Sequence, residues 1–402
     1  MSNLNFMEKL LDGVAVEWKE LSEIVTTVTA PSKLKKNDYC LTGSIPIIDQ
    51  GAGYIAGFTD LNVSPIECDK YVIFGDHSEH IKYVDFAFVQ GADGLKILKS
   101  CSDNTKFIYY AFLNFYRKEL SYKRHWSTAK ETLIPIPCPE NPEKSLKIQA
   151  EIVRILDLFT TMTIELTTEL NARKKQYSYY REQLLSFEEA EVEWKPLGEL
   201  GEFIRGKRFT KKDYVADGGV KVIHYGEIYT HYGTSSTSAI SQVRANLAES
   251  LRYAEPNDVI VASVGETIED VGKAVAWLGE EKVAIHDDSY AIRHSLNPKY
   301  LSYCLQTEDF TAEKTKHVSR GKVKRLLIDG ISKVRIPIPY PNDSKKSLTE
   351  QARIVTILDK FDTFTNSRSE GLPREIELRQ KQYEYYRDLL LNFPKLEMTE
   401  EA

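Results

Sequence analysis

The chain has 402 residues, of which 42% are hydrophobic and 28% are charged, and its formal net charge is −6. This length predicts two or more domains, and the composition excludes a disordered chain and a membrane-spanning one. The acidic balance argues mildly against nucleic-acid binding, so the distribution of the basic residues matters more than their sum.

The first region, residues 16–140, shows short apolar runs separated by turn residues, such as IPII at 45–48 and YVIF at 71–74. Such runs predict short strands, and a helical pattern follows near residues 106–120. We therefore expect a mixed α/β region with a strand-rich core. Two basic clusters lie within it, namely Lys33, Lys35 and Lys36, and then Lys123, Arg124 and His125.

A proline-rich segment and a long helical pattern follow the first region. Residues 134–159 read IPIPCPENPEKSLKIQAEIVRILDLF, and apolar residues recur at spacings of three and four from Ile148 to Leu184. A stripe with a period near 3.5 is typical of a coiled-coil seam. The helix is predicted from Ser145 to about Phe187, which makes it roughly 60 Å long at the rise of an α-helix.

The second half of the chain repeats this order. Residues 336–361 match residues 134–159 at 16 of 26 positions, and residues 379–393 match residues 173–187 at 10 of 15 positions. The motif VEWK opens both halves. Between the repeated parts, residues 192–340 are again strand-rich but align poorly with the first region. The sequence therefore predicts one duplicated helix behind two dissimilar domains.

The second helical copy differs from the first at both ends. Ser347 and Glu350 form a capping-box pattern that predicts its start, and Gly371 and Pro373 predict an interruption. Each apolar stripe must be buried, either against the other copy as an antiparallel coiled coil or inside a larger bundle. No other helical pattern of comparable length exists, which favours the pair. The expected fold is α+β, with two strand-rich α/β domains separated by two long antiparallel coiled-coil helices in a pseudo-twofold arrangement.

Two more basic clusters lie in the second region, and neither contains an acidic residue. Such clusters can contact DNA phosphates, while neighbouring polar side chains read base edges. Each cluster alone could equally be a solvated loop. Four clusters at corresponding ends of two repeated units favour DNA. The second pair of clusters comprises Arg205, Lys207, Arg208, Lys211 and Lys212, and then Lys316, Arg320, Lys322, Lys324 and Arg325.

Several patterns resemble catalytic or metal sites without completing them. Residues 201–208 read GEFIRGKR, which places Arg208 where a P-loop needs a serine or threonine for magnesium. His77 and His80 are three residues apart in a predicted loop, so they do not converge on a metal. The five cysteines form no CxxC pair, which predicts reduced thiols in a cytoplasmic protein and no zinc site. We expect no catalytic residues and no metal in this chain.

Both helical copies contain a tyrosine-rich segment, YSYYR and YEYYR. These rings could form a stacking platform for bases, but their helical spacing favours helix packing and contact with a partner protein. The residues predicted to bind a partner are Gln176, Tyr177, Tyr180, Arg181, Gln382, Tyr383, Tyr386 and Arg387.

The duplicated pattern IPIP-P, S-L-x-x-Q-x-x-I-V-x-I-L-D-x-F and R-x-K-Q-Y-x-Y-Y-R resembles the helical regions of Type I restriction-modification specificity subunits. The strand-rich blocks are similar to that family's target recognition domains, so the resemblance covers essentially the whole chain. The segment TIELTTEL at residues 163–170 resembles the short tandem repeat that sets helix length in some members.

The resemblance implies that each recognition domain reads one half of a bipartite, asymmetric DNA site and that the helices set the gap. Two modification (methyltransferase) subunits would dock on the helices and methylate adenine with S-adenosylmethionine. Restriction subunits would add cleavage dependent on ATP and magnesium, while this chain would hold no cofactor. The implied division is recognition domain 1 at 1–144, a spacer helix at 145–190, recognition domain 2 at 191–345 and a distal helical region at 346–402.

Two other functions remain open at this point. The first is a self-contained enzyme that acts on nucleic acid, against which the missing catalytic motifs count. The second is a coiled-coil scaffold that ignores DNA, which would give no sequence-dependent binding. Activity of the purified chain alone would support the first, and an equal gel shift for all duplexes would support the second.

Overall fold

The structure is a computed structural model, and the residues it describes are 14–187, 192–367 and 369–393. The chain forms two compact units. Unit 1 contains residues 1–164 and 378–402, and unit 2 contains residues 165–377. Each unit therefore combines one strand-rich region with parts of both helical regions. The division into four segments stays a prediction, because compactness assigns each helical region to both units.

Unit 1 contains two small sheets, one pair of strands and a few short helices. Its strands are β1 (Val16–Glu20), β2 (Val25–Val28), β3 (Ile45–Ile48), β4 (Gly57–Thr59), β5 (Tyr71–Gly75), β6 (Ile81–Val84), β7 (Val89–Gln90), β8 (Leu95–Ser100) and β9 (Leu133–Pro137). Its helices are α1 (Leu21–Ile24), α2 (Thr105–Phe115), α3 (Trp126–Ala129) and the first part of α4 (Pro142–Leu185), with a 3-10 turn at Lys36–Asp38.

The sheets of unit 1 are built mainly from antiparallel neighbours. One sheet has the order β2-β8-β5-β6, the other has the order β4-β3-β7 with β3 and β7 parallel, and β1 pairs with β9. The strands are short because turn residues interrupt each apolar run. The main core packs Phe74 of β5 and Phe107 of α2 against Leu156 of α4. The strand-rich region and the start of the long helix therefore share one core.

Unit 2 follows the same plan with more strands. Its strands are β10 (Val192–Pro196), β11 (Gly201–Arg205), β12 (Tyr214–Val215), β13 (Val220–Ile223), β14 (Ser235–Ser236), β15 (Ser241–Val243), β16 (Tyr253–Ala254), β17 (Val259–Ala262), β18 (Val264–Gly265), β19 (Ala274–Trp277), β20 (Val283–Ile285), β21 (Ser289–His294), β22 (Lys324–Arg325) and β23 (Arg335–Pro339). Its helices are α5 (Leu197–Leu200), α6 (Tyr225–Thr230), α7 (Pro298–Cys304), α8 (Glu308–Thr315), α9 (Ile328–Ile331), α10 (Ser344–Asn366) and the first part of α11 (Gly371–Leu390).

Two five-stranded sheets form the centre of unit 2. Their orders are β11-β21-β17-β19-β14 and β12-β15-β13-β20-β16, and the pairs β10-β23 and β18-β22 lie beside them. Tyr300 and Tyr303 of α7 are fully buried in a core that also contains Ile354 and Leu358 of α10. As in unit 1, one core joins the strand-rich region to a helix of the repeat.

The repeated VEWK motif pairs with the repeated proline-rich segment in both units. Trp18 of β1 lies opposite Pro135 of β9, and Trp194 of β10 lies opposite Pro337 of β23. Both pairs are antiparallel and have the same register. Each strand supplies hydrogen-bond partners for the backbone N–H and C=O groups of the other strand. The two short motifs therefore recur together in the sequence.

The long helix α4 begins and ends slightly before the predicted positions. It spans Pro142–Leu185, against a prediction of Ser145 to about Phe187. The carboxamide of Asn141 accepts a hydrogen bond from the Lys144 amide at 3.0 Å. Proline has no backbone N–H. At the first position of a helix this costs nothing, because an N–H there would have no acceptor within the helix. These two residues set the start of the helix, and the predicted Ser145 lies inside it.

The capping box predicted for the second copy is wrong. Helix α10 begins at Ser344, and the Asp343 carboxylate accepts a hydrogen bond from the Lys346 amide at 2.9 Å. Ser347 is buried and its hydroxyl accepts from the Gln351 side chain at 3.0 Å. The acid four residues earlier, Asp343, therefore takes the capping role that the pattern assigned to Ser347.

The predicted interruption of the second copy is confirmed. Helix α10 ends at Asn366, and α11 begins at Gly371, which has a φ of +75°. A Cβ atom there would come within 2.6 Å of the Thr363 carbonyl oxygen. Glycine is the residue that adopts this left-handed conformation without steric cost.

The two helical copies contact each other within each unit. In unit 1 the rings of Phe159 and Tyr386 stack with centroids 5.0 Å apart. In unit 2 the rings of Tyr177 and Tyr180 stack on Phe361 at 6.3 and 5.3 Å. Each unit therefore contains contacts between α4 and the second helical copy, and the antiparallel direction of the pairing stays a prediction.

Helix α4 is long, but none of the described helices is apolar enough over 18 residues to cross a membrane.

Candidate DNA interface

Five loops of unit 1 contact one another and bring the two predicted basic clusters of this unit together. Lys33 Nζ lies 3.1 Å from the Asp93 carboxylate, and Gln50 Nε2 donates to the Asp93 carbonyl at 3.2 Å. The Gln50 side-chain oxygen accepts from the His77 amide at 3.2 Å. The His77 ring Nδ1 lies 3.1 Å from the Lys123 carbonyl oxygen. We call this group loop cluster 1.

A buried lysine fixes one loop of loop cluster 1. Lys82 of β6 is 6% exposed, and its ammonium donates to the carbonyls of Asp49 and Gly53 at 2.8 and 2.6 Å. Burial lowers the pKa of Lys82. Two carbonyl oxygens of one loop take the place of the water molecules that the Lys82 ammonium loses on burial. The ammonium thereby ties Asp49 and Gly53 of this loop to β6.

His125 is a correction to the predicted DNA-contact residues. Its side chain is fully buried, and its Nε2 lies 2.8 Å from the Ser121 carbonyl oxygen. Its Nδ1 lies 3.5 Å from the buried Glu79 carboxylate. A ring enclosed in this way supports the loop from inside and does not reach a phosphate.

In unit 2 the two predicted basic clusters also meet at one turn. Arg205 Nε donates to the Asp287 carbonyl at 3.2 Å, and Arg325 Nη1 donates to the Asp288 carboxylate at 3.3 Å. The Lys207 amide donates to the Ile285 carbonyl at 3.0 Å. We call this group loop cluster 2.

The residues of loop cluster 2 line a cavity of about 760 Å³ that is open to solvent. Its walls carry hydrogen-bond donors, acceptors and aromatic faces, which is the combination that reads base edges. The residues that line it include Arg205, Arg208, Lys211, Tyr225, Glu227, His224, Asp287, Asp288 and Arg325.

His224 contributes an uncharged donor to this cavity. Burial and the neighbouring His286, whose ring centroid is 4.6 Å away, lower the pKa of His224 to about 4. Its Nδ1 accepts from the Gly226 amide at 3.1 Å, so the proton of the neutral ring is on Nε2. Near pH 7 the ring therefore offers one N–H without adding charge.

One group of described residues, His286, Asp287 and Asp288, has ligand atoms within 4.8 Å of one another. These atoms already have partners, because His286 Nδ1 accepts from the Asp288 amide at 3.2 Å and the Asp288 carboxylate binds Arg325. We therefore assign this turn to the arginines and not to a metal.

The two loop clusters occupy equivalent positions in the two units. Loop cluster 1 combines the loop after β2 with the turn before β8, and loop cluster 2 combines the loop after β11 with the turn before β21. Strand β8 pairs with β2 and β5, and β21 pairs with β11 and β17. The same framework therefore presents different side chains in each unit.

The other predicted DNA-contact residues lie on the surface. All are exposed except His125, which is buried, and Lys324, which is half-buried in β22. Lys316 forms an ion pair with Glu313 on helix α8. Exposure is compatible with phosphate contact, and the contact itself stays a prediction for Lys33, Lys35, Lys36, Lys123, Arg124, Arg205, Lys207, Arg208, Lys211, Lys212, Lys316, Arg320, Lys322, Lys324 and Arg325.

The predicted partner-binding tyrosines range from the buried Tyr177 to Tyr180, which is 40% exposed. Tyr177 is buried and Tyr386 half-buried, and Tyr180 stacks on Phe361. Tyr177 is therefore a correction, since a buried ring is not available to a partner. Tyr179 and Tyr385, which belong to the tyrosine-rich segments but not to the predicted partner-binding set, are equivalent in the repeat and 60% and 57% exposed. A stripe shows that a helix has two faces but not where the boundary between them falls.

The remaining predicted partner-binding side chains have neighbours on their own helix. Gln176 accepts from Arg173 at 2.8 Å, and Gln382 accepts from Arg379 at 3.0 Å. Arg181 and Arg387 each bind the acid that follows them in the chain. Tyr383 is half-buried against the core of unit 1. Whether these residues bind a partner stays a prediction.

Each strand-rich region is attached to a helix of the repeat by the same set of contacts. In unit 1 the fully buried Gln149 accepts from the Asn104 amide at 2.8 Å. Asp157 accepts from Lys106 Nζ at 2.8 Å and from the Tyr110 hydroxyl at 2.7 Å. We call this group anchor 1.

Unit 2 repeats these contacts as anchor 2. Gln351 accepts from the Asn297 amide at 2.9 Å. Asp359 accepts from Lys299 Nζ at 2.6 Å and from the Tyr303 hydroxyl at 2.7 Å. The signal in the sequence is a sparse repeat, N-x-K-x-x-x-Y, which is too short to notice before the contacts are known.

The family model described as "Type I restriction modification DNA specificity domain" matches this chain twice, at residues 14–175 and 189–378. The specificity subunit of the type I restriction enzyme EcoR124I/EcoR124II from Escherichia coli is 41% identical over 411 residues, covering 99% of both chains. The EcoprrI specificity subunit from Escherichia coli is 31% identical over 402 residues, covering 92% of this chain and 93% of that one.

Solved structures share the fold. The S subunit of a type I restriction-modification system from M. genitalium superposes with a TM-score of 0.58 at 16% identity, covering 96% of this chain and 98% of that chain. A chain of another type I R-M system superposes with a TM-score of 0.55 at 16% identity, covering 94% and 97%.

Proposed function

This chain belongs to the Type I restriction-modification DNA specificity family, and we propose that each of its units reads one half of a split, asymmetric DNA site. A specificity subunit is the DNA-recognition component of such a system and not its catalytic component. It functions in a complex with DNA and with other subunits of the system.

The observation that carries the proposal is the pair of loop clusters. Equivalent loops of the two units gather exposed cations around polar and aromatic side chains, yet the residues differ, as with Lys33 and Asp93 against Arg205 and Asp287. Cations at the rim bind phosphates of any sequence, and the polar groups between them distinguish bases. Two units that share a strand framework but present different side chains are suited to reading two different half-sites.

The duplicated helices support the proposed arrangement of partners. Helix segments that match at most positions, with Tyr179 and Tyr385 exposed on both, would bind two identical modification subunits. Those subunits would bring S-adenosylmethionine and methylate adenine, and restriction subunits would bring ATP- and magnesium-dependent cleavage. Helix α4, whose residues belong partly to each unit, would set the gap between the half-sites.

The decisive experiment is co-expression of the full chain with its modification subunit, followed by mapping of methylated adenines across a genome. We expect one bipartite motif with a fixed gap. Methylation without a common motif would support the scaffold alternative, and methylation by this chain alone would support the self-contained enzyme.

A matched domain exchange tests the assignment of half-sites. Replacing residues 192–340 with the corresponding region of another specificity subunit should change one half of the motif and leave the other half unchanged. The reciprocal exchange of residues 16–140 is the control and should change only the other half. A change in both halves after either exchange contradicts independent reading.

A further inference from the structure

A basic loop of unit 1 carries two exposed apolar side chains at its centre. Residues 117–124 read RKELSYKR, and Leu120 and Tyr122 are 86% and 97% exposed. A single exposed leucine needs no explanation. Here a leucine and a tyrosine lie between two pairs of cations, Arg117 with Lys118 and Lys123 with Arg124, and Lys123 forms an ion pair with Glu119 of the same loop. Apolar and cationic groups therefore share one short loop.

The backbone at Leu120 is strained. Its φ is +55°, in the left-handed region that non-glycine residues adopt at a steric cost. Burial does not compensate for this cost, because the side chain is exposed. Strain that persists at an exposed residue is a mark of function, since glycine would form the same turn more cheaply.

A rigid frame beneath the loop maintains this conformation. The buried Glu79 carboxylate accepts hydrogen bonds from the Tyr116 hydroxyl at 2.6 Å and from the amides of Glu119 and Leu120 at 2.8 Å each. His125 binds the Ser121 carbonyl at 2.8 Å. The loop is therefore preorganised, with its polar backbone groups tied inward and its apolar side chains pointing out.

His77 supports the loop from its other side. Its ring lies 3.1 Å from the Lys123 carbonyl oxygen and stacks on Tyr122 with centroids 5.9 Å apart and planes inclined by 25°. Because His77 also belongs to loop cluster 1, the loop lies next to the proposed base-reading groups and its side chains would meet the same duplex.

We propose that this loop inserts Leu120, with Tyr122 beside it, between two stacked base pairs of the half-site bound by unit 1. The inference rests on the proposed function and adds a distortion of the duplex to it. The flanking cations would bind phosphates on either side of the step while the leucine enters between the bases. Tyr122 offers an aromatic face to the base or sugar that the leucine displaces. A preorganised loop lowers the entropic cost of insertion.

The equivalent loop of unit 2 lacks this device. Residues 319–325 read SRGKVKR, and their exposed apolar residue, Val323, is 49% exposed. Within that described segment no residue has a positive φ. The smaller side chain on an unstrained loop is suited to surface contact, so we confine the proposal to unit 1.

The test uses the full chain in complex with its modification subunit and duplexes that carry the methylome-defined site. The fluorescent base 2-aminopurine, which brightens on unstacking, is placed at successive positions of each half-site, excluding the methylated adenine. We expect a several-fold rise at one step of the half-site read by unit 1 and none at the equivalent step of the other.

Three variants make the test specific. Leu120→Gly and Leu120→Asn, which both tolerate the left-handed backbone, should abolish the rise without lowering the thermal midpoint. Leu120→Met keeps an apolar side chain and should retain the rise. Leu61→Ala removes a leucine that is 51% exposed in unit 1 but has no cationic neighbours in sequence, and it should change nothing. The salt dependence of binding should be unaltered by the Leu120 variants, because the phosphate contacts remain.

Failure of the insertion proposal can be distinguished from failure of the proposed function. Specific binding with the same fluorescence for wild type and Leu120→Gly at every step overturns the insertion and leaves the proposed function intact. Binding that is equal for cognate and scrambled duplexes overturns the proposed function itself, and the insertion with it.

Discussion

At the scale of single residues, Glu79 shows how a buried charge shapes the candidate interface. It is 2% exposed and has a φ of +55°. Burial alone disfavours its ionisation, but the hydrogen bonds from the Tyr116 hydroxyl and the amides of Glu119 and Leu120 lower its pKa below the usual value. The carboxylate therefore holds loop 117–124 only while it is charged.

Glu79→Gln should release the loop. The carboxamide has one accepting oxygen, so at least one donor loses its partner, and we expect a loss of about 2 kcal/mol in the free energy of unfolding. Urea denaturation measures the loss, and faster exchange of the Glu119 and Leu120 amides locates it. Glu67→Gln, at an exposed acid of the same unit, is the control and should change stability little. Equal protection of the loop amides in both variants would contradict this role.

The contribution of Glu79 should depend on pH in one direction. Because its pKa is lower in the folded state than the ordinary value of 4.5, its stabilisation is fully present above pH 4.5 and is lost as the pH falls below that value. The stability difference between wild type and Glu79→Gln should therefore shrink on acidification. Thermal midpoints of both proteins from pH 6 to pH 3 check this, and a difference that grows in acid contradicts it.

At the scale of elements, the two anchors explain how dissimilar domains attach to similar helices. The helix side contributes Gln149 and Asp157 in one unit and Gln351 and Asp359 in the other, at the same spacing. The domain side contributes an asparagine, a lysine and a tyrosine. A domain that retains these three residues can vary elsewhere and still dock on the helix in the same way.

Tyr110→Phe and Tyr303→Phe should destabilise their anchors by similar amounts. Each removes one hydrogen bond to a partly buried carboxylate, which is worth about 1 to 2 kcal/mol. Because the anchors share no residue, the double variant should lose the sum of the two effects. Urea denaturation measures all three variants. Tyr109→Phe is the control, since no hydrogen bond of its hydroxyl is described, and a loss as large as that of Tyr110→Phe would contradict the anchor.

At the scale of the whole molecule, one continuous helix contributes to both compact units. Helix α4 has 44 residues, and the boundary between the units falls within it, after Ile164. The second copy is interrupted between Asn366 and Gly371. The uninterrupted helix is therefore the element whose length would determine the gap in the DNA site.

Inserting four residues after Glu169 should widen the gap in the methylated motif. Four residues lengthen an α-helix by roughly 6 Å, which corresponds to about one to two base pairs. Methylome mapping gives the gap directly. Four conservative replacements at residues 166–169 without insertion are the control and should leave the gap unchanged. An unchanged gap in the insertion variant, with both half-sites retained, contradicts the role of the helix as a spacer.

The sequence by itself determined the duplicated helix, the break near Gly371 and the strand-rich character of both regions, because local periodicity and turn residues encode these features. It also indicated exposed basic clusters, and all of their lysines and arginines are exposed except the half-buried Lys324. Only the tertiary structure decided which loops meet, as in the ion pairs of Lys33 with Asp93 and of Arg325 with Asp288. It also decided that His125 and Tyr177 are buried and that Leu120 is exposed on a strained turn. The physical reason is that burial and charge pairing depend on residues distant in sequence, which no local pattern records.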